Sequence, residues 1–396
     1  MTDGEKINQY KNNCLISLPY NKNCDKILQD STAFLKEVKA LILTAFLLVC
    51  VYGMKLMPLR KFNTDYLSRD TTTAIKGIFV FLVFVCHFSQ YYIFGAEPGE
   101  QFYLFRHNSG QLVVTMFLFY SGYGIFESIK KKGTGYVKQF PKNRVLKTLV
   151  HLDVAVLLYL ALNTILGISF KTSDILLSLI GWSSIGNSNW FMFAILAQYI
   201  IVFFAFIIFR KHKFPALITV TVLSVAYMFV MMKYKQSYWY NTALCLPLGM
   251  WYSYFKSGLE KAIMKNNFTY ILFFAVFASM YFYSHKHSDD LIYYEIWMLS
   301  FCVLVVMLSM KINVCNKALM WLGNHVFSIY ILQRIPMIIL TQNHIHIGSV
   351  NFTFVVCFAA TAVLAEVFDL ITGAADKKLF APKTEKREKE KEKVTA

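Results

Sequence analysis

The sequence predicts an all-α fold, a polytopic transmembrane helical bundle of about eleven spans, and three observations support this. The 396-residue chain is 56% hydrophobic but only 16% charged, whereas soluble domains carry about 25% charged residues. Its apolar residues fall in blocks of about 20, the helix length that crosses a hydrocarbon core. Runs such as FFAVFASMYFY lack the alternation of a barrel strand, so helices are predicted.

The apolar blocks give approximate limits for each predicted span. The stretch from Ile175 to Ser184 is too short to cross the membrane and is predicted to be interfacial or re-entrant. A polar segment, 1–37, precedes the first span, and a mixed-charge segment, 376–396, follows the last. The predicted spans are 38–57, 74–94, 111–129, 147–169, 190–209, 214–232, 239–255, 268–284, 291–310, 318–341 and 350–373.

The net charge of +17 invites a nucleic-acid interpretation, but its distribution argues against one. Basic residues concentrate in alternate loops, which the positive-inside rule places in the cytoplasm. The expected partner is therefore membrane lipid and not nucleic acid, and 376–396 is expected to be a solvated cytoplasmic tail. An odd number of spans then places 1–37 outside the cell. The basic loops contain Lys130, Lys131, Lys132, Lys138, Lys142, Arg144 and Lys147, then Arg210, Lys211 and Lys213, then Lys256, Lys261 and Lys265, and finally Lys311 and Lys317.

Eight cysteines are present, and two of them lie in the polar N-terminal segment. An extracytoplasmic location would permit a disulfide between Cys14 and Cys24, and two free thiols are the alternative. The other six lie in or beside spans and are interpreted as small apolar fillers. The N-terminus does not resemble a cleavable signal peptide, because its first apolar run begins near Val38.

The most informative stretch runs from Arg69 to Tyr92 and places Lys76 and His87 on one predicted helix. Their separation of eleven residues corresponds to roughly 16 Å and to nearly three turns, so both side chains lie on one face. A titratable imidazole at membrane depth is costly and indicates function. A hydrogen bond to a neighbouring helix is the structural alternative.

Two further stretches carry polar or basic groups near the predicted cytoplasmic side. Ser121 and Tyr123 interrupt an aromatic span, where they would serve either packing or a substrate. Arg144, Lys147 and His151 share one face by the i, i+3, i+7 rule. Such a stripe suits the phosphates of a nucleotide-bearing donor, and ordinary snorkelling of basic side chains is the alternative.

Polar residues also mark the later spans. Asn189 and Trp190 precede a span, where a tryptophan is first of all an interfacial anchor. The stretch from Met320 to Ile338 holds several polar residues, among them Tyr330 and Gln333, and predicts a polar cavity. Histidine pairs at 285/287 and 344/346 lack a defined geometry, so no metal site is predicted.

These motifs resemble those of the acyltransferase-3 family, and their order and spacing agree from about Arg69 to Thr372. KGIFVFLVFVCHF resembles the Arg/Lys-x10-His signature, and FLFYSGYGIF resembles the FFxLSGY/F segment. Arg144-x-x-Lys147 resembles the following Arg-x-x-Arg. NWFMFAIL and WLGNHVFSIYILQRIP resemble the Trp-Phe-Leu segment and the closing LGxxSxxIYLxHxP segment.

The resemblance implies a ten-helix acyltransferase domain over 69–373, with 38–57 as an extra leading helix. It also implies an acyl-CoA donor, by default acetyl-CoA, taken from the cytoplasm. The implied acceptor is a hydroxyl of a cell-surface glycan or of a lipid-linked oligosaccharide, and the implied location is the bacterial plasma membrane. Nothing in the sequence indicates an oligomeric state.

The resemblance, together with the residue chemistry, assigns roles to the candidate residues. His87 is the expected catalytic residue, either as a base or as an acyl carrier. Lys76, Arg144 and Lys147 are expected to hold the phosphates of the donor. Ser121, Tyr123, Asn189, Trp190, Tyr330 and Gln333 are the expected substrate-binding residues.

This sequence departs from the family pattern at three positions. Thr73 stands where an acidic residue is frequent, Lys76 replaces the commoner arginine, and Gln333 stands where histidine is usual. A transporter or flippase of lipid-linked glycans is the rival hypothesis, although the paired broken helices typical of transporters are not evident. The third hypothesis is a non-catalytic scaffold that keeps the fold.

Overall fold

In a computed structural model, the protein is described over residues 42–91, 109–343, 345, 347 and 350–380. Segment 1–37 with Cys14 and Cys24, the histidines at 344 and 346, and the tail beyond 380 lie outside the described residues. The described helices are α1 (Ile42–Val51), α2 (Arg69–Tyr91), α3 (Leu112–Phe140), a π-helix (Pro141–Leu146), α4 (Lys147–Ile165), α5 (Thr172–Leu179), α6 (Trp190–Ile208), α7 (Lys213–Tyr234), a 3₁₀ turn (Ser237–Trp239), α8 (Cys245–Ile263), α9 (Asn267–Lys286), α10 (Leu291–Ser309), α11 (Lys317–Asn324), α12 (Val326–Leu332), α13 (Arg334–Gln342) and α14 (Val350–Leu379).

Seven helical stretches in the described part of the chain are long and apolar enough to cross a membrane. This confirms an all-α, polytopic bundle. The longest stretch joins α3, the π-helix and α4 over 54 residues and contains two of the predicted spans. It is interrupted at Gly133, whose φ of 58° and ψ of −143° are not helical. The predicted basic loop is therefore helical on both sides of a glycine kink.

The predicted span 318–341 is not one helix. It is divided into α11, α12 and α13, with breaks at His325 and Gln333. Pro336 explains the second break, because proline has no N–H to donate to the carbonyl four residues earlier, at Leu332. The span predicted at 239–255 becomes α8, which starts later at Cys245.

Two pairs of helices approach each other at glycines. On α2 and α11, a Cβ added at Gly77 would lie 2.1 Å from the Leu319 carbonyl oxygen, and one at Gly323 would lie 1.8 Å from that of Thr73. On α3 and α8, Gly122 and Gly249 make the equivalent contacts with Leu246 and Phe119. Only residues without a side chain allow backbones this close.

Smaller contacts join the ends of the bundle. Lys55–Leu56 (β1) pairs antiparallel with Ile312–Asn313 (β2), which ties the chain after α1 to the chain after α10. The Asn63 side chain donates a hydrogen bond of 3.1 Å to the Ser309 carbonyl. The segment that leads into α2 is therefore held against the last turn of α10.

The long final helix continues past the predicted boundary at 376. Asp376 accepts ion pairs from Lys147 at 2.6 Å and from His151 at 3.0 Å, both on α4. Further along α14, Glu366 accepts a hydrogen bond of 2.6 Å from the Trp321 indole, and Asp369 accepts one of 2.9 Å from Ser328. Helix α14 is thus fixed by acidic side chains to the divided segment and to α4.

The close contact of α2 with α11 can be tested with Gly323→Ala. The new methyl group would overlap the Thr73 carbonyl, so we expect a loss of about 1–3 kcal/mol in stability, as for other overpacked sites. Thermal unfolding in detergent, followed by the labelling of newly exposed thiols, measures this. Gly258→Ala on α8 is the control, because nothing lies within 4 Å of its added Cβ. An equal effect of both substitutions would contradict the close-contact account.

Candidate active site

A cavity of about 1070 Å³ opens at the end of the bundle where α2 begins. This end is called the cationic end below. Helices α2, α3, α6, α8 and α12 and the π-helix contribute to its wall. Of the predicted site residues, Lys76, Ser121, Tyr123, Arg144 and Tyr330 line it. The structure therefore brings together residues that lie as much as 254 positions apart in the chain.

Three cations converge on the cavity wall from two elements. Lys76 and Arg69 lie seven residues apart on α2, and Arg144 approaches from the π-helix close enough to act electrostatically on Lys76. Among the described residues none of the three is ion-paired with a carboxylate. Lys76 and Arg144 are half-buried, whereas Arg69 is exposed. Neighbouring cations without a counter-ion repel one another, so this cluster is suited to bind an anion.

Two more cations, Lys131 and Lys256, line the same cavity, and Glu127 is the one acidic residue of the described lining. The Glu127 carboxylate is already engaged by Lys130 at 2.5 Å and by the Ser253 hydroxyl at 2.8 Å. This carboxylate is therefore shared with groups outside the cation cluster and leaves the positive charge of the cavity largely uncompensated.

Lys256 is positioned by a buried tyrosine that precedes α2. The Tyr66 hydroxyl donates a 3.0 Å hydrogen bond to Glu260 and lies 2.9 Å from the Tyr252 hydroxyl. Burial, together with the neighbouring Tyr252 and Glu260, raises the pKa of Tyr66 far above its ordinary value, so its proton is retained. The Lys256 ammonium lies 5.7 Å from the centre of the Tyr66 ring and 3.7 Å from Glu260.

Lys147 does not share the environment of Arg144, contrary to the predicted stripe. It is bound to Asp376 and does not line the cavity. The i, i+3, i+7 rule assumes α-helical periodicity, whereas Pro141–Leu146 forms a π-helix with i→i+5 hydrogen bonds. That extra winding separates the directions of Arg144 and Lys147, and His151 follows Lys147 toward Asp376.

Hydroxyl groups form the wall beside Arg144. The Ser121 and Tyr199 hydroxyls lie 2.8 Å apart and join α3 to α6. The Arg144 guanidinium is adjacent to Tyr199. Tyr123 is also on this wall, with its ring 6.5 Å from that of Tyr252. A bound anion would therefore meet both cations and hydroxyl groups.

His87 lies deeper in the bundle and is not itself part of the cavity lining. It is 8% exposed, and its ring centre lies 6.0 Å from that of Tyr330, which does line the cavity. The Tyr330 ring also packs 5.5 Å from Phe191. Tyr330 therefore lies next to both the cavity and the imidazole.

The end of α2 beyond His87 is fixed by an arginine of α13. Arg334 donates hydrogen bonds to the Tyr91 hydroxyl at 3.2 Å and to the Gln90 side chain at 2.7 Å. The fully buried Gln333 precedes it and donates 2.9 Å to the Tyr330 carbonyl. Gln333 thus contacts Tyr330, whose ring lies near His87, and does not line the cavity.

Asn189 and Trp190 also lie outside the cavity lining. The Asn189 side chain donates hydrogen bonds to the Ser178 carbonyl, at 3.2 Å, and to the Ser183 carbonyl, and it accepts one from Asn187. The half-buried Trp190 ring packs 5.7 Å from Tyr238. Asn189 therefore organises the segment before α6, and Trp190 packs against the 3₁₀ turn that follows α7.

Three cations that line the cavity were not predicted from the sequence as site residues: Arg69, Lys131 and Lys256. Arg69 is two helical turns before Lys76, and that spacing on a recognised helix was a usable signal. Lys131 and Lys256 gave no signal beyond their place in basic loops. Among the described residues no group of three histidine, cysteine or acidic side chains is arranged to hold a metal ion.

The comparison with protein families gives one match. A family model described as an acyltransferase domain covers residues 72–368, more than half of the chain. Neither the curated proteins nor the solved structures contain a match to this chain.

The chain is accordingly a multi-pass membrane acyltransferase. The chain belongs to the acyltransferase-3 family. The matched region starts inside α2 and ends inside α14, so α1 and the last turns of α14 lie outside it.

Arg144 of the π-helix and Lys147, the first residue of α4, provide a test of the cavity as an anion site. We expect Arg144→Ala to weaken the binding of inorganic pyrophosphate by about tenfold, because a charge-assisted hydrogen bond contributes about 1.5–3 kcal/mol. Lys147→Ala, which removes a cation bound to Asp376, is the matched control and should bind as the wild type does. Isothermal titration of the detergent-solubilised protein measures both, and an equal loss in the two variants would contradict the assignment.

Proposed function

We propose that the protein transfers an acyl group, by default acetyl, from acyl-CoA to a hydroxyl of a cell-surface glycan or a lipid-linked oligosaccharide. The proposed location is the bacterial plasma membrane. The cationic end and the basic loops would then face the cytoplasm, as would the C-terminus, and the N-terminus would be outside. Family membership supports acyl transfer, while the donor, the acceptor and the orientation are parts of the proposal.

The observation that carries the donor assignment is the cation cluster. Arg144 and Arg69 both lie close enough to Lys76 to act on its charge, and none of the three has a carboxylate partner among the described residues. Coenzyme A carries a diphosphate and a ribose phosphate, and arginine and lysine are the side chains that bind phosphate best. The cluster therefore fits the nucleotide end of this donor.

The separation between the cluster and His87 suits the remainder of the donor. Lys76 and His87 are eleven residues apart on the straight helix α2, or roughly 16 Å. This is comparable to an extended pantetheine arm. With its phosphates at Lys76, the donor would place its thioester near Tyr330, beside the imidazole. Tyr330 would have to turn aside for the thioester to reach His87.

The chemistry assigned to His87 is proton removal. Neutral imidazole has an ordinary pKa near 6.5 and can accept the proton of an attacking hydroxyl at neutral pH. The hydroxyl oxygen forms a bond to the thioester carbonyl carbon, and the carbon–sulfur bond breaks. The leaving thiolate then takes up a proton to become the free thiol.

His87→Ala tests this role. We expect turnover to fall by at least about 100-fold, in the range typical of a lost general base. Binding of acyl-CoA should stay close to the wild-type value, because the cation cluster is unchanged. Transfer of radiolabel from acetyl-CoA to an extracted glycolipid, together with titration of the donor, measures both quantities. Normal transfer by this variant would overturn the assignment.

A second measurement distinguishes base catalysis from an acyl-histidine intermediate. Rapid quenching of wild-type protein with labelled acetyl-CoA in the absence of acceptor should leave the protein unlabelled if His87 acts as a base. Label on the peptide that contains His87 would instead show a covalent intermediate.

The same preparation tests the function as a whole. Consumption of acetyl-CoA that depends on added glycolipid, with label recovered on the sugar, is the expected result. Movement of glycolipid across a vesicle membrane without any consumption of donor would favour the transporter hypothesis and reject acyl transfer by this site.

A further inference from the structure

A stripe of polar side chains runs along α10 on the side that faces the bundle. Glu295, Cys302 and Ser309 recur every seven residues, so they share one helix face. All three are buried, with exposures of 6%, 0% and 3%. Polar groups aligned inside an apolar helix must face protein or water, and here they face protein.

Glu295 is the unusual member of this stripe. Neither of its carboxyl oxygens has a hydrogen-bond partner in the part of the chain that the structure describes. Its ionisable neighbours are Cys302, Cys245 on α8 and Tyr294, none of which is cationic at neutral pH. A carboxylate in this position would be an uncompensated charge inside the membrane, which is among the most costly arrangements in a protein.

The surroundings of Glu295 extend in two directions. Toward the end of the bundle opposite the cationic end, Tyr294 lies beside it and Asn241 contacts Tyr294. The His285 ring of α9 packs with its centre 4.5 Å from that of the buried Trp297. Toward the cationic end, Cys302 follows after about 10 Å of helix. The thiol of Cys302 contacts that of Cys245.

The stripe reaches the cavity through one tyrosine. The buried hydroxyl of Tyr120, on α3, lies beside Cys302 and Ser309 of α10. Tyr120 also lines the cavity that holds the cation cluster. Hydroxyl and thiol groups can both donate and accept a hydrogen bond. A series of such groups, Cys302 and then Tyr120, therefore leads from Glu295 toward the cavity without passing His87.

We propose that Glu295 is an intramembrane proton-binding site that supplies the cavity through Cys302 and Tyr120. This rests on the proposed acyl transfer, in which His87 takes a proton from the acceptor and the leaving thiolate needs one. Glu295 gives up its O–H proton, the sulfur gains an S–H bond, and the carboxylate regains a proton from the opposite end. His87 releases the proton that it took from the acceptor at that same opposite end of the bundle. The overall reaction therefore neither gains nor loses protons.

The first test detects the bound proton without any reaction. Dicyclohexylcarbodiimide is an apolar reagent that modifies protonated carboxyl groups within membranes. We expect it to label Glu295 in the full-length protein at neutral pH, less as the pH rises, and to spare the exposed Glu366, which accepts a hydrogen bond from Trp321. Peptide mass spectrometry measures this, and an unlabelled Glu295 would overturn the proposal.

The second test separates proton delivery from packing. Glu295→Gln has the shape and neutrality of the protonated carboxyl but cannot release a proton. We expect kcat to fall by about tenfold or more with the KM for acetyl-CoA unchanged, and Tyr120→Phe to change kcat in the same direction. Glu366→Gln is the matched control and should keep the wild-type kcat.

The outcomes distinguish this proposal from the function on which it rests. A wild-type kcat in Glu295→Gln would make the residue structural and reject proton delivery, even if Glu295 is labelled. A wild-type protein that transfers no acyl group, but in which carbodiimide labels Glu295 and the labelling falls as the pH rises, would reject the proposed function and retain the proton-binding site.

Discussion

The close contact of helices at glycines is the constraint on which the rest of the structure depends. In lipid there is no hydrophobic driving force between helices, so backbones must approach closely to gain dispersion and polar contacts. Gly77 and Gly323 bring α2 against α11, and Gly122 and Gly249 bring α3 against α8. These contacts set the walls of the cavity, because Lys76 directly precedes Gly77 and Tyr123 directly follows Gly122.

Charge is distributed unequally between the inside of the cavity and its surroundings. Outside it, the Lys147 ammonium is neutralised by its ion pair with Asp376, which also contacts His151. Inside it, Arg69, Lys76 and Arg144 have no such partner among the described residues. Ion pairs that join helices need complementary charges, whereas a site for an anionic substrate needs cations that remain available. Arg144 and Lys147, three residues apart, fulfil these two different requirements.

Much of the architecture and part of the site could be predicted from the sequence. Apolar blocks of the right length predicted a helical membrane bundle, and the helical spacing of Lys76 and His87 is reproduced on α2. Lys147 lies at Asp376 and not on the cavity wall, because a π-helix replaces the α-helical period from which the basic stripe was predicted. The single span predicted at 318–341 was wrong because backbone breaks at His325 and near Pro336 divide it. Neither irregularity leaves a periodic signal.

The sequence alone determined the class of the protein, its helical character and the order of its motifs. These depend on local properties: the length of apolar segments, the spacing of side chains along one helix, and the distribution of charge between loops. Only the tertiary structure decided which cations lack a carboxylate partner among the described residues and that Lys256 of α8 joins Lys76 of α2 at one cavity. It also decided that Glu295 is buried with no hydrogen-bond partner in the described part of the chain. Those facts depend on contacts between helices distant in the chain, and no local pattern specifies which faces meet.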